Sequence, residues 1–309
     1  MDNFSLLILW AGLIVLFGIL EPDTFLTTDT FKSILSAQAI TAIMALSLLL
    51  PIASNQFDLS IAGAMGIAIV LVAVLLSETG LGIVPAIAVT LVGGVVIGCV
   101  NAFLIVKCRI GSFITTLATG SILYALINWL SNGEAITEGI PESFTDLGRT
   151  EVFGLPIFFF YMLAIAFVLW FVLEHRQTGR YLYAIGSNAD AARLAGLKVG
   201  RLTAIALITS AVIATIAGII FVTNIGAAST EAGPPYLLPA FAAAFLGATQ
   251  FKAGNVNVLG TLVAVYALAT GVKGVQLLGA PFWVEELFNG VALLVAVGLA
   301  VRSGRQRTL

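Results

Sequence analysis

The chain of 309 residues is 60% hydrophobic and 10% charged, with a formal net charge of −2 at pH 7. A soluble domain carries roughly a quarter charged residues to cover its surface, so this composition excludes an ordinary water-soluble fold and points to a surface facing lipid. A spanning helix takes about 20 largely apolar residues, which leaves room for about ten spans and few large loops.

The opening residues, MDNFSLLILWAGLIVLFGIL, carry no basic leader and no small-residue cleavage site, and read as a retained first span. Apolar runs separated by Gly, Pro or charge then place spans near 4–20, 34–53, 59–77, 82–106, 112–131, 156–174, 202–223, 236–249, 255–272 and 283–301. Backbone polar groups in lipid must bond within their own segment, so all ten are expected to be helices of an all-α polytopic bundle. No soluble domain interrupts the chain, and residues 1–309 read as one transmembrane domain. Only two polar connections exceed a simple turn, 132–155 and 175–201.

The basic residues set the orientation. With the N-terminus inside, the cytoplasmic segments collect 11 of the 14 lysines and arginines, and only Lys32, Arg149 and Lys273 fall outside. The expectation is N-in and C-in, with 132–155 extracytoplasmic and 175–201 cytoplasmic. Trp10, Trp129, Trp170 and Trp283 lie mostly near span ends, as an interfacial aromatic belt requires. Gly94 and Gly98, four residues apart, allow two helix backbones to approach closely.

Several chemistries are missing. Nothing matches GxxxxGK[ST], so the chain has no phosphate-cradling loop and is not itself an ATPase. A single histidine, His175, and two scattered cysteines do not assemble a metal site. Cys99 lies in an apolar run and Cys108 beside Lys107 and Arg109, so they do not read as a disulfide pair. Proton- or sodium-coupled carriers usually show buried ionisable residues; only Asp58 approaches the apolar region. No cofactor, catalytic group or nucleic-acid partner is expected, and the driving energy is expected from another subunit.

The inner segment reads HRQTGRYLYAIGSNADAARLAGLKVGR. Ser187 to Asp190 fits a capping box, with Asn188 as the alternative cap. Ala189 to Ala195 are mostly helix formers, and Gly196 suits the left-handed residue that ends a helix. A helix of about two turns is marginal alone in water. It either packs internally or on the lipid surface, or docks into a partner.

The stretch AIGSNADAARLAGLKV resembles the coupling segment of the ribose, xylose and galactose class of ABC-transporter permeases. Further likenesses follow in the family's order. They are Phe57-Asp58-Leu59-Ser60, Gly94-xxx-Gly98-x-x-Asn101, Lys107-x-Arg109-Ile110, Phe113-Ile114-x-Thr116-Leu117 and Asn132-Gly133. Ala228 to Gly233 with Tyr236, then Gly247, Thr249 and Gly260-Thr261-Leu262, complete them. The resemblance implies a dimeric permease of ten helices per subunit in the bacterial cytoplasmic (inner) membrane. It implies a cytoplasmic ABC ATPase that binds the ATP, an extracytoplasmic solute-binding protein, and a second permease subunit in a homo- or heterodimer. Gly186, Asn188, Ala191, Ala192, Arg193, Leu194 and Gly196 are the coupling residues it implies. The chain departs from the family at Asn55 and Gln56, where glycine is usual, and at Ser112, where proline is usual. It departs again at Leu237, Leu238, Ala248 and the run Ala253 to Val256.

Asn55, Gln56 and Asp58 sit between two apolar runs and can bond a hydroxyl-bearing solute; equally, Asp58 can cap the helix beginning at Leu59. Asn101, Thr115, Thr116 and Asn128 are further candidates for the route, or for interhelical hydrogen bonds. The leading reading is the permease subunit of a binding-protein-dependent ABC importer for a sugar or sugar-like polyol. The alternatives are the same machine carrying a nucleoside or branched-chain amino acid, and an energy-independent carrier or channel.

Overall fold

The computed structural model describes residues 5–251, 254–281 and 283–305; Lys252, Ala253 and Arg307, invoked above, lie outside them. Helix dominates, as satisfaction of backbone groups in lipid demands. In chain order the helices are α1 (Ser5–Leu20), α2 (Pro22–Phe25), α3 (Thr28–Ser47), α4 (Leu49–Ala53), α5 (Ile61–Ser77) and α6 (Ile83–Ala102). A π-helical turn, Phe103–Lys107, extends α6 before α7 (Ser112–Ser131), α8 (Glu142–Arg149) and α9 (Ile157–His175). Then come α10 (Gln177–Ser187), α11 (Ala189–Leu194), α12 (Val199–Ile225), α13 (Leu237–Gly247), α14 (Val258–Leu277) and α15 (Trp283–Arg305). Among the described residues, six stretches are long and apolar enough to cross a membrane: Thr28–Ala53, Ile83–Lys107, Ser112–Ser131, Ile157–His175, Val199–Ile225 and Val258–Leu277. Leu6–Leu20, Ile61–Ser77 and Pro234–Gly247 are shorter apolar helices. The chain is an all-α polytopic membrane protein.

Four details differ from the sequence expectation. The second apolar run begins at Thr28, not near 34, because the Thr27 hydroxyl accepts the Thr30 N–H at 3.1 Å and caps the helix six residues early. It is also interrupted after Ser47, the residue whose carbonyl the ring of Pro51 would strike in a continuous helix. In the 132–155 connection, α8 and a two-residue antiparallel hairpin, Glu151–Val152 with Leu155–Pro156, replace irregular loop. Fourth, α10 precedes the expected inner helix. Its buried face of Gly179, Leu182 and Ile185 was hidden among basic and polar residues.

The described chain forms two compact units. One takes the chain up to Leu46, Phe159–Trp170 and everything from Leu238 onward. Within it the Trp10 indole donates to Thr270 Oγ1 at 2.8 Å, joining α1 to α14 rather than serving only as an interface anchor. Asn257 caps α14 by accepting the Gly260 N–H at 2.7 Å and donates to the Gly247 and Gln250 carbonyls at 3.1 and 2.9 Å.

The second unit, Ser47–Phe158 with Phe171–Leu237, holds all the coupling and route candidates named above. Its centre is α5, apolar all round and buried along nearly its whole length. The long α12 packs against α5 and α6. Gly94 and Gly98 make the α6 contact possible: a Cβ on Gly94 would run into the Thr215 side chain, and one on Gly98 would lie 2.5 Å from Ile208 Cα. At the C-terminal end of α12, Arg149 of α8 donates to the last carbonyls, Asn224 at 3.3 Å and Ile225 at 3.1 Å. These are the groups a helix C-terminus leaves unpaired. The outward faces of α6 and α7, including Val92, Val96, Ile114, Ile122 and Trp129, are exposed and apolar, as lipid-facing surfaces are.

The two glycine environments give a graded expectation. Gly98→Ala forces backbone apart and should lower thermal stability in detergent by roughly 1–3 kcal/mol. Gly93→Ala, whose Cβ would meet Leu71 Cδ2 at an ordinary 3.6 Å, should leave stability unchanged. Equal effects in a fluorescence melting assay would refute the close α6–α12 approach.

Candidate functional site: a buried polar break beside the coupling segment

Between α4 and α5 the chain leaves helical geometry over residues 54–60. A non-helical stretch frees backbone donors, and at membrane depth these need protein partners. The turn begins tightly: the Ser54 and Gln56 N–H groups both donate to the Pro51 carbonyl at 2.9 Å. Side chains of α7 take the next two donors. The Phe57 N–H goes to Ser112 Oγ at 3.1 Å, and the Leu59 N–H to Thr116 Oγ1 at 3.0 Å. Ser112 stands where the resembled family usually has proline, so its hydroxyl supplies a partner that proline lacks.

Asp58 is fully buried, and its Oδ1 accepts both the N–H of Ser60, at 3.1 Å, and the Ser60 hydroxyl, at 2.5 Å. α5 begins at Ile61 with Ser60 in the N-cap position and no side-chain capping bond, so Asp58 does not cap a helix at Leu59; its carboxylate instead holds Ser60 just ahead of α5. Asn101 of α6, also fully buried, donates from Nδ2 to Ser60 Oγ at 2.8 Å. Ser210 of α12 lies beside the Asp58 carboxyl. Yet neither Ser210 Oγ nor Asp58 Oδ2 closes a well-formed hydrogen bond. Asn101 Oδ1 and Thr115 Oγ1 are likewise buried without a partner. Sequence reading missed Ser210, which sits beside Thr209 in an apolar run that also holds Thr203, Thr215 and Thr223, so nothing set it apart.

The structure thus brings Asp58, Asn101 and Thr116 to one region, while the other candidates stand differently. Gln56 is half-buried and Asn55 exposed. Asn55 has φ +57°, a left-handed conformation that favours glycine and that asparagine tolerates better than most. Glycine at this position therefore has a backbone reason, independent of any solute. Asn128 is on the exposed side of α7, donating to the Tyr124 carbonyl of its own helix at 3.0 Å. It lies about 18 Å along that helix from Thr116 at 1.5 Å per residue.

The segment expected from the sequence to be the coupling segment adjoins this break. α10 packs against α4, and Gly186 approaches so closely that a Cβ would strike the Ala53 carbonyl. Burial first, and then the Glu174 carboxylate, raise the pKa of the Tyr183 phenol in α10 above its ordinary value. The phenol therefore stays neutral. The Ser187 hydroxyl turns back to the Tyr183 carbonyl at 3.0 Å, so Ser187 does not form the capping box. Asn188 caps α11 instead, accepting from the Asp190 and Ala191 N–H groups at 3.1 and 2.9 Å. Gly196 follows with φ +85°, the left-handed stop read from the sequence. Ala192 is buried, Arg193 pairs with Asp190 at 2.7 Å in solvent, and Leu194 is 91% exposed. Exposed pairs of that kind contribute little stability.

The model of a family described as branched-chain amino acid transport system / permease component matches residues 30–297. The chain belongs to this permease family. It is 31% identical over 302 residues to the ribose import permease protein RbsC of Escherichia coli strain K12, covering 96% of this chain and 92% of that one. RbsC of Bacillus subtilis strain 168 is 31% identical over 288 residues, covering 92% and 88%. The autoinducer 2 import system permease protein LsrD of Photorhabdus laumondii subsp. laumondii is 29% identical over 307 residues, covering 96% and 90%. No solved structure matches. The permease is a multi-pass protein of the inner membrane and a component of an ABC importer; it is not an enzyme, ATP hydrolysis belonging to a separate subunit.

If Asn55 serves backbone geometry, Asn55→Gly should leave membrane abundance and solute preference unchanged. Asn55→Val, β-branched at a positive φ, should cost about 1–2 kcal/mol. Melting curves and uptake competition on the two variants check this; a changed solute preference in Asn55→Gly would make the residue part of the route.

Proposed function

We propose that this permease carries a sugar or sugar-like polyol inward, as one half of a permease dimer driven by a cytoplasmic ATPase and supplied by an extracytoplasmic binding protein. End-to-end similarity to ribose import permeases carries the reading. The family description names branched-chain amino acids, but the ribose and autoinducer 2 permeases align over nearly the whole chain. Autoinducer 2 is the competing cargo, favoured by a similar level of identity.

Ten spans with both termini inside give the working topology. Residues 175–201 form the cytoplasmic coupling loop and 132–155 the outer loop that faces the binding protein. The exposed Leu194 and the capped, glycine-terminated α11 support a docking role for Gly186, Asn188, Ala191, Ala192, Arg193, Leu194 and Gly196. Movement of the ATPase would press on α11 and reach the 54–60 break through Gly186 and Ala53. Asp58, Asn101, Thr115 and Thr116 would then set the inner end of the route, with Asn55, Gln56 and Asn128 as outlying candidates.

Proteoliposomes holding the permease, its ATPase and its binding protein should take up ribose or a related sugar with ATP, and not leucine. Leu194→Asp should abolish this uptake with the permease still folded, because the altered side chain is exposed. Ala192→Pro should do the same by removing the bond from the Ala192 N–H to the Asn188 carbonyl. Leucine uptake would overturn the cargo, and wild-type rates in both variants would overturn the coupling assignment.

The topology has its own test. Cys108 should resist an impermeant thiol reagent applied to intact cells, and Glu138→Cys, in the exposed outer loop, should react. The reverse pattern would invert the orientation.

A further inference from the structure

Two stretches of the chain, 79–133 and 191–230, contain no Asp or Glu, so α6, its π-helical extension, α7 and α12 carry no carboxylate. The same stretches hold Lys107, Arg109, Arg193, Lys198 and Arg201. Of these only Arg193 forms an ion pair among the described residues, with Asp190. Lys107 and Arg201 are brought together by packing. α6 and α12 run antiparallel through three close approaches: Gly94 at Thr215, Gly98 at Ile208, and Gly200 at Val106, whose Cγ1 would lie 2.7 Å from an added Cβ. The last approach is one residue from each cation, and Lys107 and Arg201 line one groove of about 530 Å³.

From the two cations the groove runs along the helices. Ala102, Phe103 and Val106 form one wall, and Ala204 and Ile208 the other. Arg201 to Ile208 covers about 10 Å at 1.5 Å per residue. Phe103 is exposed, so the groove continues the apolar outward face of α6. Lys107 ends the membrane-length stretch Ile83–Lys107, and Arg201 is the third residue of Val199–Ile225. The cations thus stand at the depth of a bilayer's phosphates and the apolar walls at the depth of its chains. Basic pockets between spanning helices recognise anionic headgroups on this principle. A zwitterionic lipid fits less well, because its cationic group meets no carboxylate on α6, α7 or α12.

We propose that this groove holds one anionic phospholipid, its phosphate between Lys107 and Arg201 and an acyl chain along the α6–α12 seam. The lipid fastens the first turn of α12, which follows α11 closely in the chain, to the end of α6. The site does not depend on the cargo or on the direction of transport.

The test titrates the full-length permease with its ATPase, in detergent, with dioleoyl-phosphatidylglycerol or dioleoyl-phosphatidylcholine, read by native mass spectrometry. One phosphatidylglycerol per permease chain should bind about tenfold or more tightly than phosphatidylcholine, each cation contributing about fivefold toward an anionic lipid. Inorganic phosphate should not displace it. Lys107→Gln together with Arg201→Gln should bring phosphatidylglycerol down to the affinity of phosphatidylcholine. Ala204→Phe, which fills the groove and keeps both cations, should weaken both lipids. Arg176→Gln with Arg180→Gln, an equal loss of charge at exposed residues outside the groove, should keep the wild-type preference. Equal binding of the two lipids by the wild type, displacement by inorganic phosphate, or the same loss in both double variants would overturn the site. A permease pair that Ala204→Phe separates, with no lipid retained, would overturn it in favour of a second copy. Loss of the ATPase from the Lys107 and Arg201 variant, with lipid binding unchanged, would overturn it in favour of that subunit.

Discussion

A break in a helix inside a membrane is stable only if every backbone group it frees finds a partner in the protein. Residues 54–60, the short non-helical connection between α4 and α5, meet the same demand because they are packed in protein against α5. Pro51, Ser112 and Thr116 take the donors of Ser54, Gln56, Phe57 and Leu59, and Asp58 takes that of Ser60. The surrounding packing follows from this arrangement. Ser112 and Thr116 bring α7 alongside, Ser60 recruits Asn101 from α6, and glycines on α6 let α12 approach closely enough for Ser210 to reach Asp58.

The same break is where the coupling segment rests. A short capped helix such as α11 has little stability of its own, but α10 behind it is fastened to α4 by the Gly186 contact. In the proposed coupling role, a push on the exposed tip would be delivered to the end of α4 rather than dissipated in a loop. Small displacements there act on hydrogen bonds with well-defined alternatives, the kind of element that converts a sub-ångström shift into two states. This links the unusual backbone at 54–60 to the energy source of an importer whose own sequence has no nucleotide site.

Much of this was legible in the sequence because single residues carry it. Low charge dictated a lipid-facing all-α chain; Gly94 and Gly98 announced a close helix approach; Asn188 and Gly196 bounded the inner helix. Other features were hidden for physical reasons. Hydrophobic periodicity cannot reveal α10, whose buried face is three residues wide between arginines and a serine. The Asn55 substitution reads as a change of solute contact in the sequence, and its positive φ adds a backbone reason for that position which no pattern of residues reveals. Ser210 gave no pattern at all, since one hydroxyl in an apolar helix usually bonds its own backbone; only packing against α5 and α6 exposes its position beside Asp58.

The central claim is that force applied at α11 is felt at the 54–60 break. Hydrogen–deuterium exchange on the assembled importer, with and without a nucleotide state trapped on the ATPase, measures this directly. The account predicts that amides of residues 186–196 and of residues 54–60 change protection together. Changed protection at 186–196 with an unaltered 54–60 segment would contradict it.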